Sequence, residues 1–367
     1  MIKEIEQSQL IDLQKIAKER TVKTQTIEYD LQTLIKKIKN KVIKLDPEYQ
    51  RKHRWSDDIS SRLIESLILN IPIPIIYISQ DVDVDEETEE SRYSVIDGQQ
   101  RLTAIYDFMN NQYALEGMPI LKPLNGYKYE SLPPFLIRRL EERTIKCLRI
   151  DSTVDPQVKY DIFERLNSGS IELTNQELRN AVYRGSFNEL IKELAQIDEF
   201  RKLINIKVTQ AEQNPKVKKM EDVELVLRFL ALDNDNYKNY TPLMKDFLND
   251  FMDRNRDLPQ EDLVTIKKRF ERVIKYILFE LGEKAFAKYS EEGVLKSSFN
   301  TAVYDAIIIG ISSSSVFEKQ LKITTQQKQN LRSLFGNESF IYTITGSTND
   351  KEKLLRRISL VRGAIGE

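Results

Sequence analysis

The feature that most constrains this fold is a short apolar run that passes into a helix through one glycine. Residues 93–96 (YSVI) have the composition of a buried strand, and residues 102–109 (LTAIYDFM) carry apolar side chains at helical spacing. Residues 97–101 (DGQQR) join the two segments. A helix start leaves unpaired backbone N–H groups, and Arg101 adds a cation in the first turn. The sequence therefore predicts an anion site here, with a phosphate-bearing ligand as the first candidate.

Strand-like and helix-like patterns divide the 367 residues into two regions. Residues 1–40 have helical spacing, and the rest of the first region alternates short strand-like runs with helices. From Pro156 onward, helical periodicity continues with almost no strand signal. A chain of this length also exceeds the roughly 250–300 residues that a single core usually reaches. We therefore expect two domains, the first containing strands and helices and the second containing helices alone.

The charges of the chain nearly cancel, because 56 basic and 57 acidic side chains give a formal net charge of −1. This balance does not indicate a nucleic-acid binder, so any surface for DNA must be a local basic patch. The basic clusters at 36–41, 216–219, 267–269 and 356–357 are candidates, although such clusters are more often solvated helix faces. Because no apolar run of about 20 residues occurs, we expect a soluble, cytoplasmic protein without a membrane partner.

A single histidine and a single cysteine limit the chemistry of the chain. Cys147 lies in the alternating run 144–150, where we predict a buried strand cysteine rather than a reactive thiol. His53 alone does not supply a two-histidine zinc site or a histidine-metal nuclease. The string G-x-x-x-x-G-K-[ST] does not occur, so any nucleotide is bound without a Walker loop.

Two further segments carry candidate ligand-binding side chains. Residues 49–55 (YQRKHRW) combine cations with the only tryptophan, and we expect Arg51 to contact a ligand while Trp55 anchors the core. In residues 174–180 (TNQELRN), Thr174 and Glu177 form a predicted capping box. Asn167 and Arg179 have no such local reason, so they are predicted to reach the ligand from the start of the helical region.

Five blocks in this order resemble one family, and they span roughly residues 24–182. The resemblance rests on residues 49–51 (YQR) with Trp55, 63–74 (LIESLILNIPIP), 95–104 (VIDGQQRLTA), 163–169 (FERLNSG) and 176–180 (QELRN). They are similar to the DGQQR-motif family of GmrSD-type restriction enzymes and SspE-type defence proteins. That family belongs to the ParB and sulfiredoxin-like superfamily, and residues 98–104 also resemble the nucleotide-contacting G-x-x-R-x-x-A box of ParB proteins.

The resemblance implies an α+β fold with a ParB/sulfiredoxin-like small mixed sheet and helices, followed by an all-α C-terminal domain. The implied parts are a helical extension at 1–23, a nucleotide-binding domain at 24–155, and a helical domain at 156–367 whose segment 163–182 completes the pocket. The implied ligand is an NTP with Mg²⁺. The implied catalytic residues are Asp97, Gln100 and Arg101, and the implied nucleotide-binding residues are Gln50, Arg51 and Gly98. Four further residues are predicted to bind the nucleotide: Gln99, Asn167, Glu177 and Arg179.

The leading functional hypothesis is an NTPase subunit of a DNA restriction or antiphage system, with either Asp97 or Glu177 as general base. Many family members carry a histidine-dependent nuclease domain, whereas this chain has only His53. The expected partners are therefore DNA, a separate nuclease subunit and a further copy of the chain. Two alternatives remain open: a non-catalytic DNA-binding adaptor, and a metal-dependent nickase that uses Asp97 and neighbouring acids.

Overall fold

The structure, a computed structural model, describes residues 22–45, 55–84, 91–151, 154–166 and 173–367. The chain divides into two units between residues 172 and 173. The described elements of the first unit are β1 (Thr24–Asp30), α1 (Leu31–Lys39), β2 (Ile43–Lys44), α2 (Asp57–Ile68), β3 (Ile76–Val84), β4 (Ser91–Asp97), α3 (Gln99–Met109), α4 (Pro134–Glu141), β5 (Thr144–Ile150) and α5 (Pro156–Leu166).

A five-stranded mixed sheet organises the first unit, with the strand order β1-β5-β3-β4-β2. Strand β3 pairs antiparallel with β4 and parallel with β5, while β1 pairs antiparallel with β5 and β2 pairs parallel with β4. Cys147 of β5 lies opposite Ile27 on one side and Ile76 on the other. The predicted combination of a sheet and helices in the first region is therefore confirmed.

The core of the first unit lies between this sheet and the helices that cover it. Cys147 is fully buried there, and burial raises the pKa of its thiol to about 12, as expected for the predicted strand cysteine. Trp55 is half-buried and packs against the same core, which confirms its predicted anchoring role. The fully buried apolar side chains include Leu31, Leu34, Ile64, Leu67, Ile76, Ile78, Leu102, Ile105, Phe108 and Leu140.

The predicted helix over residues 1–40 is correct for 31–39 and wrong for 24–30, which form β1. Residues 1–21, including most of the predicted extension at 1–23, lie outside the described residues. Asp30 separates the two elements, because its carboxylate accepts a hydrogen bond from the Thr33 backbone N–H at 2.7 Å and caps α1. That bond also lowers the pKa of the Asp30 carboxyl group.

Helices form most of the second unit, as predicted, but a two-stranded antiparallel hairpin interrupts them. The prediction of an all-α region is corrected by this hairpin, which consists of β6 (Lys288–Tyr289) and β7 (Leu295–Ser297). None of the described helices is long and apolar enough to cross a membrane. The helices are α6 (Asn175–Val182), α7 (Ser186–Leu194), α8 (Asp198–Leu203), α9 (Pro215–Lys218), α10 (Glu221–Leu232), α11 (Met244–Arg254), α12 (Gln260–Leu281), α13 (Thr301–Ser312), α14 (Ser315–Glu318), α15 (Thr325–Ser333), α16 (Glu338–Thr343) and α17 (Lys351–Ala364).

A buried ionic cluster joins three helices in the core of the second unit. Asp305 on α13 is fully buried, and its two carboxylate oxygens accept hydrogen bonds from Arg228 on α10 at 3.1 and 2.5 Å. Arg357 on α17 donates to the same carboxylate at 2.7 Å, and it also donates to the carbonyl oxygens of Thr343 and Thr348. Charged groups of this kind hold their neighbours in one geometry, because each must keep its partners in a water-free interior.

Candidate functional site

The predicted anion site lies where β4 ends at Asp97 and α3 begins at Gln99. Gly98 is the N-cap of α3, and among the described residues no side chain caps this helix. The first intrahelical bond runs from the Leu102 N–H to the Gly98 carbonyl oxygen at 2.9 Å. The turn therefore has the geometry predicted from the sequence, with the positive end of an 11-residue helix directed toward it.

Gly98 permits this turn for two separate reasons. Its φ of +95° lies in the left-handed region, which side chains other than hydrogen disfavour. A Cβ atom at this position would also lie 3.1 Å from Cγ1 of Ile76 and 3.3 Å from Nη2 of Arg101. The missing side chain thus lets the backbone of the turn approach β3 closely.

We expect Gly98→Ala to lower the free energy of unfolding by about 1–2 kcal/mol from backbone strain, with a further cost from contact with Ile76. Gly126→Ala is the matched control, because its φ is +90° and nothing lies within 4 Å of its Cβ position. Urea denaturation of both variants separates the two costs. Equal destabilisation by the two substitutions would contradict a role for close packing at Gly98.

Arg101 is engaged inside the protein rather than extended into solvent. Its Nη2 lies 2.5 Å from the Asp97 carboxylate, and its Nη1 donates to the carbonyl oxygens of Pro74 and, at 3.3 Å, of Ile75. The Arg101 side chain is 11% exposed, whereas the Asp97 side chain is 46% exposed. The guanidinium therefore ties the proline-rich segment that follows α2 to the turn, and its carboxylate partner faces solvent on one side.

Gln100 links the turn to the segment that enters α2, because its Oε1 accepts a hydrogen bond from the Trp55 backbone N–H at 3.1 Å. Its Nε2 is buried and has no hydrogen-bond partner among the described residues, and the same holds for Oγ1 of Thr103. Both residues border a cavity of about 10 Å³, which is roughly the size of one water molecule. The other residues lining this cavity are Trp55, Ser60, Ala104, Asp107 and Tyr113.

A metal ion at this turn would depend on Asp97. No cluster of three His, Cys, Asp or Glu side chains suited to a metal occurs among the described residues. Mg²⁺ does not require such a cluster, because it is usually held by one or two carboxylates together with substrate phosphates and water. The partly exposed carboxylate of Asp97, beside a helix start, fits this mode of binding.

A comparison with known protein families finds a match for the segment that contains this turn. Residues 31–184 match the family model of the GmrSD restriction endonuclease, N-terminal domain. This segment is therefore similar to the N-terminal domain of that restriction endonuclease, over 154 of the 367 residues. No curated protein and no solved structure matches the chain. The ParB-like description of the sheet therefore stays a prediction.

The matched segment, residues 31–184, contains all ten predicted site residues, and the structure describes seven of them. Asp97, Gly98, Gln99, Gln100 and Arg101 lie together at the turn because they are consecutive. Gln50, Arg51 and Asn167 lie outside the described residues. The remaining two, Glu177 and Arg179, lie on α6 in the second unit.

On α6, Glu177 forms the capping box that the sequence predicts. Its carboxylate accepts a hydrogen bond from the Thr174 N–H at 2.7 Å, and Thr174 Oγ1 accepts one from the Glu177 N–H at 3.3 Å. Arg179 is almost completely buried, and it donates to Asn249 at 2.9 Å and to Glu224 at 3.0 Å. The contacts described for both side chains therefore organise the second unit itself.

Sequence reasoning missed the carbonyl oxygens of Pro74 and Ile75, and the buried hydroxyl of Thr103, as parts of the site. Residues 71–74 (IPIP) lie within the matched segment 31–184 and within one of the five blocks that carry the resemblance, but the sequence assigns them no role. Thr103 is a polar residue on the buried side of α3. A polar side chain at a buried helix position needs a hydrogen-bond partner, and this is the sequence signal that could have identified it.

Proposed function

We propose that this chain is the NTP-binding and NTP-hydrolysing subunit of a DNA restriction or defence system. The restriction role is inferred from the family whose model matches residues 31–184. The nucleotide role is carried by the turn itself, where Gly98 leaves the start of α3 without a side-chain cap. Backbone N–H groups at such a helix start bind phosphate well, and glycine lets the phosphate approach them closely.

Arg101 has a positioning role in this proposal before the nucleotide binds. Its contacts with Asp97 and with the Pro74 carbonyl hold the turn in shape. A phosphate group competes with the Asp97 carboxylate for Nη2 of Arg101. Because the Asp97 side chain is 46% exposed, its carboxylate can rotate toward solvent when the phosphate binds. The guanidinium then faces the phosphate without leaving the two backbone carbonyls that anchor it.

Hydrolysis at this turn requires a positioned water and stabilisation of the developing charge. Gln100 is suited to hold water, because its Nε2 is a buried donor without a partner among the described residues. Asp97 would hold Mg²⁺, which neutralises phosphate charge when bound. Glu177 already accepts the Thr174 N–H in a capping box, so Asp97 and Gln100 are the proposed catalytic side chains together with Arg101.

DNA and a nuclease are the proposed partners. The chain has one histidine, His53, so a histidine-dependent nuclease centre would lie outside these 367 residues. In this scheme the chain couples NTP binding or hydrolysis to DNA cleavage by that nuclease. Mixing the purified chain with candidate nucleases and DNA, with and without NTP, measures this coupling directly.

Thermal-shift measurements with each of the four NTPs and Mg²⁺ test the nucleotide site. A ligand at about 100 times its dissociation constant stabilises the native state by about 2.7 kcal/mol, so one NTP should raise the melting temperature clearly. Asp97→Asn should weaken the Mg²⁺-dependent part of this shift, because it removes the charge while keeping the side-chain shape. Glu28→Gln is the control, since Glu28 is an exposed carboxylate on β1. The absence of a shift with every NTP would refute the proposal.

A non-catalytic DNA-binding adaptor is the second candidate, and the pairing of Arg101 with Asp97 favours it. The Arg101 guanidinium already has three oxygen partners within the protein, so it gains less from a phosphate contact than an unpaired guanidinium would. Phosphate-release assays separate the two candidates. Release that depends on NTP, Mg²⁺ and Gln100 supports the NTPase, whereas DNA binding that is indifferent to NTP, without phosphate release, supports the adaptor.

A further inference from the structure

Residues 201–219 of the second unit are locally basic, with acidic pairs at 198–199 and 221–222 on either side. Between residues 201 and 219 the chain has six basic side chains and one acidic side chain, although the formal net charge of the whole chain is −1. A protein of nearly balanced charge can attract a polyanion only through such a local patch. The basic residues are Arg201, Lys202, Lys207, Lys216, Lys218 and Lys219, and the acidic residue is Glu212.

The same segment lines a wide groove with a volume of about 710 Å³. Lys202 and Lys207 border this groove, both are exposed, and neither forms an ion pair among the described residues. Amide side chains supply much of the remaining lining, and Glu283 is the acidic group present. The lining amides are Asn205, Gln210, Gln213 and Asn214.

Parts of this groove are held rigidly. Asn205 Oδ1 accepts a hydrogen bond from Lys284 Nζ at 3.1 Å, and Asn205 Nδ2 donates to Ser298 Oγ at 3.0 Å. Lys216 packs 3.9 Å from the centre of the Phe299 ring and donates to the Ile204 carbonyl oxygen at 2.7 Å. Lys216 does not line the groove, and burial lowers its pKa, so Lys202 and Lys207 supply the accessible charge of the groove.

We propose that this groove binds the phosphodiester backbone of a nucleic acid. Lys202 and Lys207 act as point charges for successive phosphates, and the exposed amides of Gln210 and Gln213 donate to phosphate and sugar oxygens. None of the described side chains that line the groove is aromatic, so these residues do not offer a platform for stacked bases. The contact is therefore with the backbone and is independent of base sequence. This inference deepens the proposed function by giving its DNA partner a surface on the second unit.

Fluorescence anisotropy with a labelled DNA duplex, measured on the full chain over a range of salt concentrations, tests the site. The double variant Lys202→Gln/Lys207→Gln should bind severalfold more weakly. Its log–log slope of affinity against salt should be shallower by about 2, because two phosphate contacts are lost. The matched control is Lys319→Gln/Lys322→Gln, which removes two exposed lysines of the same unit outside the groove. Melting temperatures of both variants check that each one folds.

Competition experiments identify the source of the negative charge. Unlabelled duplex should displace the labelled DNA, whereas inorganic phosphate at equal ionic strength and polyglutamate at equal charge should not. Displacement by phosphate at equal ionic strength would reassign the groove to a small phosphate-bearing ligand and overturn the proposal. Displacement by polyglutamate as effective as that by DNA would instead indicate an acidic protein partner and would also overturn it.

The NTP-dependent thermal shift of the same double variant separates this inference from the proposed function. An unchanged shift together with weakened DNA binding supports the groove as a separate site. Unchanged affinity and salt slope in the double variant overturn the groove even if the NTP shift is present. A third outcome is that the double variant binds DNA more weakly while no NTP stabilises the unsubstituted chain. That outcome would support the groove and refute only the nucleotide proposal.

Discussion

Asp305→Ala is expected to lower the free energy of unfolding of the second unit by about 3–5 kcal/mol, which is a large part of the roughly 5–15 kcal/mol that stabilises a typical domain. The substitution leaves Arg228 and Arg357 buried without the carboxylate that both contact. Burial already lowers the pKa of Arg357, which reflects the cost of a charged guanidinium in this interior. Losing the compensating carboxylate adds to that cost for both arginines at once.

Denaturant unfolding followed by circular dichroism measures this effect, with Glu189→Ala as the control. Glu189 pairs with Lys192 on the surface of α7, and its side chain is 70% exposed, so little change is expected. A second variant, Asp305→Leu with Arg228→Met and Arg357→Met, should recover much of the lost stability, because apolar groups replace the whole cluster. An Asp305→Ala protein as stable as the Glu189→Ala control would contradict the structural role of the cluster.

The second large effect is expected from Arg101→Ala, which should destabilise the first unit by about 2–3 kcal/mol even when no ligand is present. The estimate is lower than for Asp305 because the Asp97 partner is 46% exposed and water can replace part of the lost interaction. The carbonyl oxygens of Pro74 and Ile75 also lose their donor. We therefore expect loosening of the segment between α2 and β3.

Hydrogen exchange of the segment around residues 71–76, together with denaturant unfolding, locates this change. Arg62→Ala is the control, because Arg62 is an exposed cation on α2. If Arg101→Ala abolished nucleotide binding and left the stability of the first unit unchanged, Arg101 would be a ligand contact without the positioning role described above. Loss of both properties agrees with a residue that shapes the turn and then meets the phosphate.

The sequence predicted the strand–glycine–helix passage correctly because its signals are local. Gly98, the apolar run before it and the helical spacing after it lie within one short segment. Strand β1 was missed because it lies at the sheet edge, where Ile27 is the aliphatic residue among mostly polar neighbours. The β6–β7 hairpin was missed because strands of two and three residues are too short to have a periodic pattern.

The composition of the candidate site was predictable, whereas the partners of its central residue were not. Spacing alone identifies Arg101 as a cation at a helix start. Its contacts with the carbonyl oxygens of Pro74 and Ile75 join positions far apart in the chain, and no local pattern specifies them. The same limit applies to Arg179, whose contacts with Asn249 and Glu224 depend on how distant helices pack.

The strand order of the first unit has a consequence for synthesis on the ribosome. Strand β1 emerges first, yet its partner is β5, which also supplies the parallel neighbour of β3. The growing chain therefore carries an unpaired β1 beside the three strands β2, β3 and β4 until residue 150 has left the exit tunnel. Non-local pairing of this kind delays folding and leaves strand edges open to aggregation. Completion of β5 is thus the step at which the nascent domain closes.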